Sequence, residues 1–387
     1  MTTVLDKLTK EPPYKLLALD GGGIRGLISL EILAKMEQML RRELGGDGDF
    51  VLADYFDYIG GTSTGAIIAT CLSLGWPVQK IRNFYLKSGR EMFDRASLLN
   101  RFRYKFDDTN LAALLQSEFG SNVTLGDKKM RTLLLLVMRN ATTDSPWPVS
   151  NNARATYNDR SRADCNLDLP LWQLVRASTA APTYFPPETI EVGKNRFIFV
   201  DGGVTMYNNP AFQLFLMATV APYRLCWPVG EQTMLLVSVG TGAAADANAN
   251  LMPGQMNLVY NATSIPSALM FAASNEQDFL CRVFGRTMCG AALDREVGNL
   301  IGPVDPLPDG RVPGPVQPKL FTYTRYNVDL SKAGLTELGL KDIRPDDVQQ
   351  MDSVDHVEEL KRTGEAAAAQ VSREHFANFL QKPAAIG

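Results

Sequence analysis

Histidine and cysteine are scarce in this sequence. Two of the 387 residues are histidine and five are cysteine. The cysteines are widely spaced and form no Cys-x-x-Cys pair, so the sequence suggests neither a disulfide framework nor a zinc site. We therefore expect a protein of a reducing compartment that uses no metal and no cofactor.

Segments that would direct the chain to a membrane are also missing. Residues 1–13 carry charged side chains and lack the apolar stretch of a signal peptide. No apolar run approaches the roughly 18 residues of a membrane span. The sequence thus predicts a cytoplasmic protein whose contact with a membrane would be peripheral.

A basic excess is absent as well. The chain has 39 Lys and Arg against 42 Asp and Glu, for a net charge of −3. Nucleic-acid-binding proteins usually carry a strong positive excess, so we expect no nucleic-acid partner. Hydrophobic residues make up 45% of the chain, which is enough for a sizeable core in one large domain or about two to three ordinary ones.

One serine lies in a pattern typical of a nucleophile. A short apolar strand with Tyr58 and Ile59 runs into Gly61-Thr62-Ser63-Thr64-Gly65, and an apolar helical pattern follows directly. A serine on a sharp strand-to-helix turn is held clear of the backbone, and the helix N-terminus favours developing negative charge. Ser63 is therefore the candidate nucleophile, and the alternative interpretation is a plain turn.

A glycine-rich loop precedes this serine. Residues 14–19 form a short apolar strand, Asp20-Gly21-Gly22-Gly23-Ile24-Arg25-Gly26 follows, and helical spacing of apolar residues begins at Leu27. Glycines present backbone N–H groups without side chains in the way, at the positive end of a helix dipole. This arrangement predicts an anion-binding loop.

Three kinds of anion-binding site have to be considered for this loop. Gly21, Gly23 and Gly26 fit a dinucleotide fingerprint, but the region about 20 residues further on is no strand ending in an acidic residue. A phosphate-binding P-loop would need Lys and Ser or Thr after Gly26, where Leu27 stands. The third possibility is an oxyanion hole, in which the N–H groups of Gly22 and Gly23 receive the oxyanion of an acyl intermediate.

The base that a serine nucleophile needs is expected among the carboxylates. The two histidines, His356 and His375, lie in a charged, Ala-rich tail, where solvated side chains are the simplest interpretation. Residues 197–200 form an apolar strand that ends in Asp201-Gly202-Gly203. Catalytic groups collect at such strand ends in α/β sheets. Asp201 is thus the candidate base, although an Asp-Gly pair is also a common turn.

Taken together, these motifs resemble those of one protein family. The loop of residues 20–26, the Gly-x-Ser-x-Gly of residues 61–65 and Asp201-Gly202-Gly203 occur in the order seen in patatin-like phospholipases, as do residues 177–187 and Asn208-Asn209-Pro210. The resemblance implies a Ser63–Asp201 dyad with an oxyanion hole at Gly21, Gly22 and Gly23. The other motif positions that it marks are Arg25, Gly26, Gly61, Gly65, Gly202 and Gly203.

The resemblance and the strand–helix alternation lead to one expected architecture. We expect a three-layer α/β/α domain with a mainly parallel sheet, plus a helical C-terminal segment. In sequence terms this gives an N-terminal tail at residues 1–13, a catalytic domain at 14–326 and a helical extension at 327–387.

The activity that the resemblance implies is that of a lipid acyl hydrolase of the phospholipase A type. It would cleave fatty-acyl esters of glycerophospholipids or other lipid esters. Two alternatives stay open at this point. One is a small-ester or thioester hydrolase with the same dyad, and the other is a nucleotide-binding protein that uses the loop from Gly21 to Gly26.

Membrane contact and regulation follow as further hypotheses. Residues 76–106 combine eight basic residues with interleaved aromatic ones, a composition that suits an anionic lipid surface. An ordinary solvated helix with its aromatic residues in the core is the alternative. A phospholipase in the cytoplasm would damage the membranes of its own cell, so we expect gated activity, with cyclic nucleotides among the activators that relatives suggest. The sequence identifies no sensor site and no oligomeric state.

Overall fold

Strands and helices alternate along most of the chain, as the apolar pattern predicts. The structure is a computed structural model that describes residues 2–46, 48–93, 109–182, 184–243, 252, 258–301 and 318–380. In these residues nine strands form one sheet. The strands are β1 Tyr14–Leu19, β2 Tyr58–Thr62, β3 Leu133–Asn140, β4 Ser145–Ser150, β5 Glu188–Val192, β6 Asn195–Asp201, β7 Met234–Val239, β8 Gly285–Cys289 and β9 Phe321–Tyr326.

The centre of the sheet is parallel and one end of it is antiparallel. Strand β1 pairs in parallel with β2 on one side and with β7 on the other. The parallel pairing continues from β2 to β3, and from β7 through β9 to β8. Strands β4, β5 and β6 pair antiparallel to their neighbours. The carboxyl ends of β1 and β2 lie side by side, because Leu19 pairs with Gly61.

Strands β2 and β6 occupy the same edge of β3, one after the other. Thr62, the last residue of β2, pairs parallel with Val137, and Asp201, the last residue of β6, pairs antiparallel with Met138. Strand β4 lies along the opposite edge of β3. The ends of β2 and β6 therefore meet from opposite directions at adjacent residues of β3.

Helices cover both faces of the sheet. They are α1 Val4–Thr9, α2 Gly26–Glu43, α3 Leu52–Tyr55, α4 Thr64–Ser73, α5 Val78–Phe93, α6 Thr109–Phe119, α7 Leu171–Ser178, α8 Ala211–Thr219, α9 Leu258–Phe284, α10 Lys332–Glu337, α11 Pro345–Gln349 and α12 Val357–Ala367. Alternate residues of β1 enter different cores: Leu17 packs with α2 and α4, while Leu16 packs with α8. This confirms the predicted three-layer α/β architecture with a mainly parallel sheet.

The two ends of the chain are part of the packed structure. Residues 1–13, expected as a tail, contain α1, on which Lys7 and Leu8 are buried. Beyond residue 326, the side chains of Leu335, Leu360 and Phe376 join the same core as α2. The predicted boundaries at residues 13 and 326 thus separate segments that pack together.

Segment 76–106 falls partly within the described residues. In α5, Phe84, Tyr85 and Phe93 are buried, so these aromatic side chains belong to the core and do not face a lipid surface. Residues 94–106 lie outside the described residues. Among the described helices, none combines the length and the apolar character needed to cross a bilayer.

Candidate active site

Ser63 lies on a strained turn between β2 and α4. Its backbone has φ 55° and ψ −122°, a region that side-chain-bearing residues seldom adopt. Gly61 and Gly65 make the turn possible, because a Cβ on Gly61 would clash with the carbonyl of Gly65, and one on Gly65 with the carbonyl of Leu19. The geometry is that of a nucleophile elbow.

Asp201 is the hydrogen-bond partner of the Ser63 hydroxyl. Ser63 Oγ donates to Asp201 Oδ2 at 2.6 Å, and the Gly203 N–H donates to Asp201 Oδ1 at 2.6 Å. The Asp201 side chain is only 4% exposed. Both carboxylate oxygens are therefore engaged, and one of them is aimed at the serine.

The surroundings of Asp201 make it a stronger base than an ordinary aspartate. Burial raises the pKa of its carboxyl from the usual value to about 6, although hydrogen bonds from Ser63 and Gly203 lower it. A carboxylate with this pKa remains mostly ionised at neutral pH. It also accepts a proton more readily than a solvated carboxylate.

Two further hydroxyl groups fix the turn. The Ser63 N–H donates to Ser178 Oγ at 3.0 Å, and Ser178 Oγ donates to the Val137 carbonyl at 2.5 Å. Thr62 Oγ1 donates to the Tyr207 carbonyl at 2.6 Å. Sequence reasoning assigned no role to Ser178; the only signal for it was its position in the family-like segment 177–187.

The glycine loop lies directly against the serine. A Cβ on Gly21 would be 3.2 Å from Ser63 Cβ. The Gly21 N–H donates to the Asn208 carbonyl at 3.0 Å, and the Ile24 N–H donates to the Met351 carbonyl at 3.0 Å. Within the part of the chain that the structure describes, the N–H groups of Gly22 and Gly23 donate to no acceptor. Only these two of the three predicted glycines have an N–H available for an anion.

The loop is closely packed from behind. A side chain on Gly22 would clash with Thr241, and Thr241 Oγ1 donates to the Gly21 carbonyl at 2.9 Å. Gly23 has φ +62°, and a Cβ there would clash with the Met351 carbonyl. The loop therefore needs glycine at these positions for close approach, and its shape is imposed by distant parts of the chain.

Charged groups support the ends of the loop. Asp20 accepts two hydrogen bonds from Arg325, at 2.9 and 2.6 Å, in a buried ion pair. Arg25 donates to the carbonyls of Gln349 and Gly22 at 3.2 and 3.4 Å. Burial lowers the pKa of the Arg25 guanidinium to about 10, so it stays charged at neutral pH.

The remaining motif glycines are also places of close contact. A Cβ on Gly26 would meet Thr64 Oγ1 at 2.6 Å, whereas one on Gly202 would clash with the Val137 carbonyl. Gly203 donates to the Asp201 carboxylate. The structure therefore brings Ser63, Asp201 and the glycine motifs together.

Neither histidine contributes to this site. His375 Nδ1 lies 2.8 Å from the hydroxyl of Tyr326, and His356 Nε2 lies 3.6 Å from Asp347. In the described residues neither forms a hydrogen bond with Ser63 or Asp201. No group of three His, Cys, Asp or Glu side chains in those residues is arranged to hold a metal ion.

The family model and the similar curated proteins agree on one family. The family model described as patatin-like phospholipase matches residues 17–215. Patatin-T5 of Solanum tuberosum is 31% identical over 248 residues, which cover 59% of this chain and 61% of that protein. Patatin-17 of Solanum cardiophyllum is 29% identical over 248 residues, with the same coverage of 59% and 61%. The chain thus spans less than two thirds of the length of these relatives.

Similar solved structures share little sequence with the chain. Human GIVD cytosolic phospholipase A2 has a TM-score of 0.41 and 13% identity, covering 97% of this chain and 64% of that one. VipD from Legionella pneumophila has a TM-score of 0.36 and 14% identity, covering 90% of this chain and 67% of that one. TM-scores this low support no conclusion about the site of this chain.

Proposed function

Because the chain belongs to the patatin-like phospholipase family, we propose that it is a lipid acyl hydrolase of the phospholipase A type, with Ser63 as nucleophile and Asp201 as base. The observation that carries the proposal is the 2.6 Å hydrogen bond from Ser63 Oγ to Asp201 Oδ2. It joins a serine on a strained elbow to a buried carboxylate, beside a loop with two unengaged N–H groups. Nucleophile, base and oxyanion donors are the parts that acyl transfer requires.

In the first half of the proposed reaction, Asp201 accepts the Ser63 proton while Ser63 Oγ attacks the ester carbonyl carbon. The carbonyl oxygen becomes an oxyanion beside the glycine loop. When the tetrahedral intermediate collapses, the bond to the alcohol breaks and Asp201 returns the proton to the leaving alkoxide. The products are a fatty-acyl ester of Ser63 and a free alcohol, the lysophospholipid.

In the second half, a water molecule takes the place of the alcohol. Asp201 accepts a proton from the water as its oxygen attacks the acyl carbon. Collapse of this intermediate releases the fatty acid, and the proton passes from Asp201 back to Ser63 Oγ. The dyad is then restored, and every proton transfer has used the same carboxylate.

The N–H groups of Gly22 and Gly23 are the proposed oxyanion donors. One such donor is typically worth about 3 kcal/mol of the barrier. Gly21, whose own N–H binds the Asn208 carbonyl, would keep the loop against Ser63. In this assignment Gly22 and Gly23 bind the oxyanion, whereas Gly21 holds the loop in position.

The rim of the site favours lipid over small esters. Val204 and Met206, which follow the Asp201 turn, are exposed, with Met206 at 50%. Helix α9 packs against the same turn and exposes Leu269 at 64%. An apolar border beside a hydrolytic dyad suits long acyl chains better than small or thioester substrates. The nucleotide alternative is weaker, since most N–H groups of the loop already have acceptors within the chain.

Regulation of the activity is part of the proposal. An ungated phospholipase would attack the membranes of its own cell, so we propose that purified protein acts slowly on phosphatidylglycerol vesicles until an activator is added. Cyclic nucleotides are the first activators to try. Full activity without any additive would contradict gating and leave the hydrolase proposal intact.

The test combines active-site labelling with product analysis. A fluorophosphonate probe should label wild type at Ser63, as read by intact mass and peptide mapping, and should not label Ser63→Ala. Ser117→Ala, which changes an exposed serine, is the matched control and should label normally. Fatty-acid release from vesicles should follow the labelling. Release of fatty acid by Ser63→Ala at the wild-type rate would overturn the proposal.

A further inference from the structure

Two lysine ammonium groups and the main-chain N–H of a third lysine bind one buried aspartate at the amino ends of β1 and β2. Lys7 Nζ lies 3.1 Å from Asp57 Oδ1, and Lys10 Nζ lies 2.5 Å from Asp57 Oδ2. The main-chain N–H of Lys15 donates to Asp57 Oδ2 at 2.9 Å. Asp57 directly precedes β2, and Lys15 is the second residue of β1. The cluster thus joins the N-terminal helix to the centre of the sheet.

The ammonium group of Lys15 has no anionic partner. The Lys15 side chain is buried, with 7% exposed, and its Nζ lies 4.6 Å from the centre of the Tyr55 ring. Among the described residues, no carboxylate or hydrogen-bond acceptor is paired with this Nζ. The hydroxyl of Tyr55 is also buried without a hydrogen-bond partner there. The Tyr55 hydroxyl is therefore unsatisfied, whereas Lys15 Nζ has no acceptor in the described residues but is not a fully buried atom.

The charges of the cluster do not balance. Lys7, Lys10 and Lys15 carry three positive charges when protonated, and Asp57 supplies one negative charge. Glu11, the next acidic residue along the chain, is exposed. Lysine is rarely buried without a counter-charge, because removing an ammonium group from water is unfavourable. The three ammonium groups thus exceed the single buried carboxylate by two charges.

We propose that the Lys7–Lys10–Lys15 cluster is a binding site for a phosphate group. A phosphate ester or inorganic phosphate carries between one and two negative charges at neutral pH, which matches the excess. Its oxygens are strong acceptors for ammonium N–H groups, and such charge-assisted hydrogen bonds are short and strong. The phosphate would come from a free ligand or from a lipid headgroup, since both present the same chemistry.

This site is separate from the one proposed for acyl transfer. The cluster lies at the amino end of β2, whereas Ser63 follows its carboxyl end. A bound phosphate would attach α1, which carries Lys7, to the strand that leads to the nucleophile. The inference does not depend on the proposed hydrolase activity, and either can fail without the other.

Phosphate binding at this site should weaken at alkaline pH. Burial, together with the charges of Lys10 and Lys7 and against that of Asp57, lowers the pKa of Lys15 to about 8. Tyr55, the remaining titratable group against Lys15, stays neutral because burial raises its pKa. A bound anion favours protonated Lys15, so affinity should fall as pH rises through about 8.

Calorimetric titration of the full chain with inorganic phosphate tests the proposal. Potassium chloride of equal ionic strength is the reference. We expect saturable binding by wild type and, for Lys15→Met, a dissociation constant at least about tenfold higher. Lys129→Met, which removes an exposed lysine, should bind like wild type. Equal saturable binding of inorganic phosphate by Lys15→Met and wild type would overturn the proposal.

A second variant and a second probe complete the design. If Lys15→Met does not fold, as judged by circular dichroism, Lys10→Met takes its place, because Lys10 is more exposed and should show the same loss. Vesicles of phosphatidic acid in phosphatidylcholine are compared with pure phosphatidylcholine vesicles. Binding of only the phosphatidic acid vesicles through these lysines assigns the site to a lipid headgroup, and binding of inorganic phosphate assigns it to a free ligand. Failure of both probes to depend on the lysines refutes the site.

Discussion

The Asp201 carboxylate is both buried and hydrogen-bonded. It is buried, which raises its pKa to about 6, and it still accepts hydrogen bonds from both Ser63 and Gly203. Asn at this position keeps the shape and can donate to Ser63 Oγ, but it cannot accept the proton. We expect Asp201→Asn to lower kcat by about 10²–10⁴-fold with little change in KM, measured as fatty-acid release. Near-native turnover would rule out Asp201 as the base.

The same pKa predicts a pH profile. In the proposed mechanism the ionised carboxylate is the active form, so the rate of fluorophosphonate labelling should rise with pH and level off above about 6. A profile that instead rises through the ordinary aspartate range, near 4, would show that burial does not govern this group.

The free energy of unfolding should fall as pH rises, whereas the labelling rate should increase. A buried carboxyl with a raised pKa favours its protonated form in the folded state, so folding stability is lost as pH rises from about 4 to about 6. Asp201→Asn removes this loss. We expect the variant to be more stable than wild type by about 2 kcal/mol at neutral pH, with the difference shrinking toward pH 4. Urea denaturation at both pH values measures this, and a difference independent of pH would contradict it.

At the scale of elements, the close packing of α12 on α2 offers a test of how the C-terminal segment is held. A Cβ on Gly364 would lie 2.9 Å from both Ile28 Cα and Glu31 Cβ. Ala normally stabilises a helix relative to Gly by about 1 kcal/mol, but here it would separate the helices. We expect Gly364→Ala to lower the free energy of unfolding by about 1–3 kcal/mol, measured by chemical denaturation. Glu365→Ala, at the exposed next position, is the control and should change it little.

The sequence predicted elements and motif positions well, because both depend on local pattern. Strand β1 and the strand before Ser63 were placed from apolar runs and glycine, and the Ser63 elbow from its spacing. The direction of β6 was not predictable. Apolar content places a strand in a sheet without showing whether it runs parallel or antiparallel, and Asp201 reaches Ser63 from an antiparallel strand.

Contacts between distant segments were the other feature that local pattern could not reveal. The Gly21 N–H donates to the Asn208 carbonyl, and the Ile24 N–H donates to the Met351 carbonyl of the C-terminal segment. Main-chain carbonyls carry no signal in the sequence, so which carbonyl meets which N–H depends on the tertiary fold alone.

At the scale of the whole molecule, the chain should fold as one unit. Leu335, Leu360 and Phe376 from beyond residue 326 fill the core beside α2. We therefore expect a fragment of residues 14–326 to lack cooperative unfolding, because it would expose that core to water. Thermal unfolding followed by circular dichroism compares the fragment with the full chain. A cooperative transition in the fragment would show that the predicted catalytic domain is independent.

The glycine loop is held by residues near the C-terminal end of the chain, so it can take its final shape only late in translation. Arg25, in the loop, donates to the Gln349 carbonyl across 324 residues of chain. On a ribosome Ser63 would emerge early, while Asp201 and the residues behind the loop would emerge much later. In the proposed mechanism a nascent chain would thus lack a complete site until translation was almost finished.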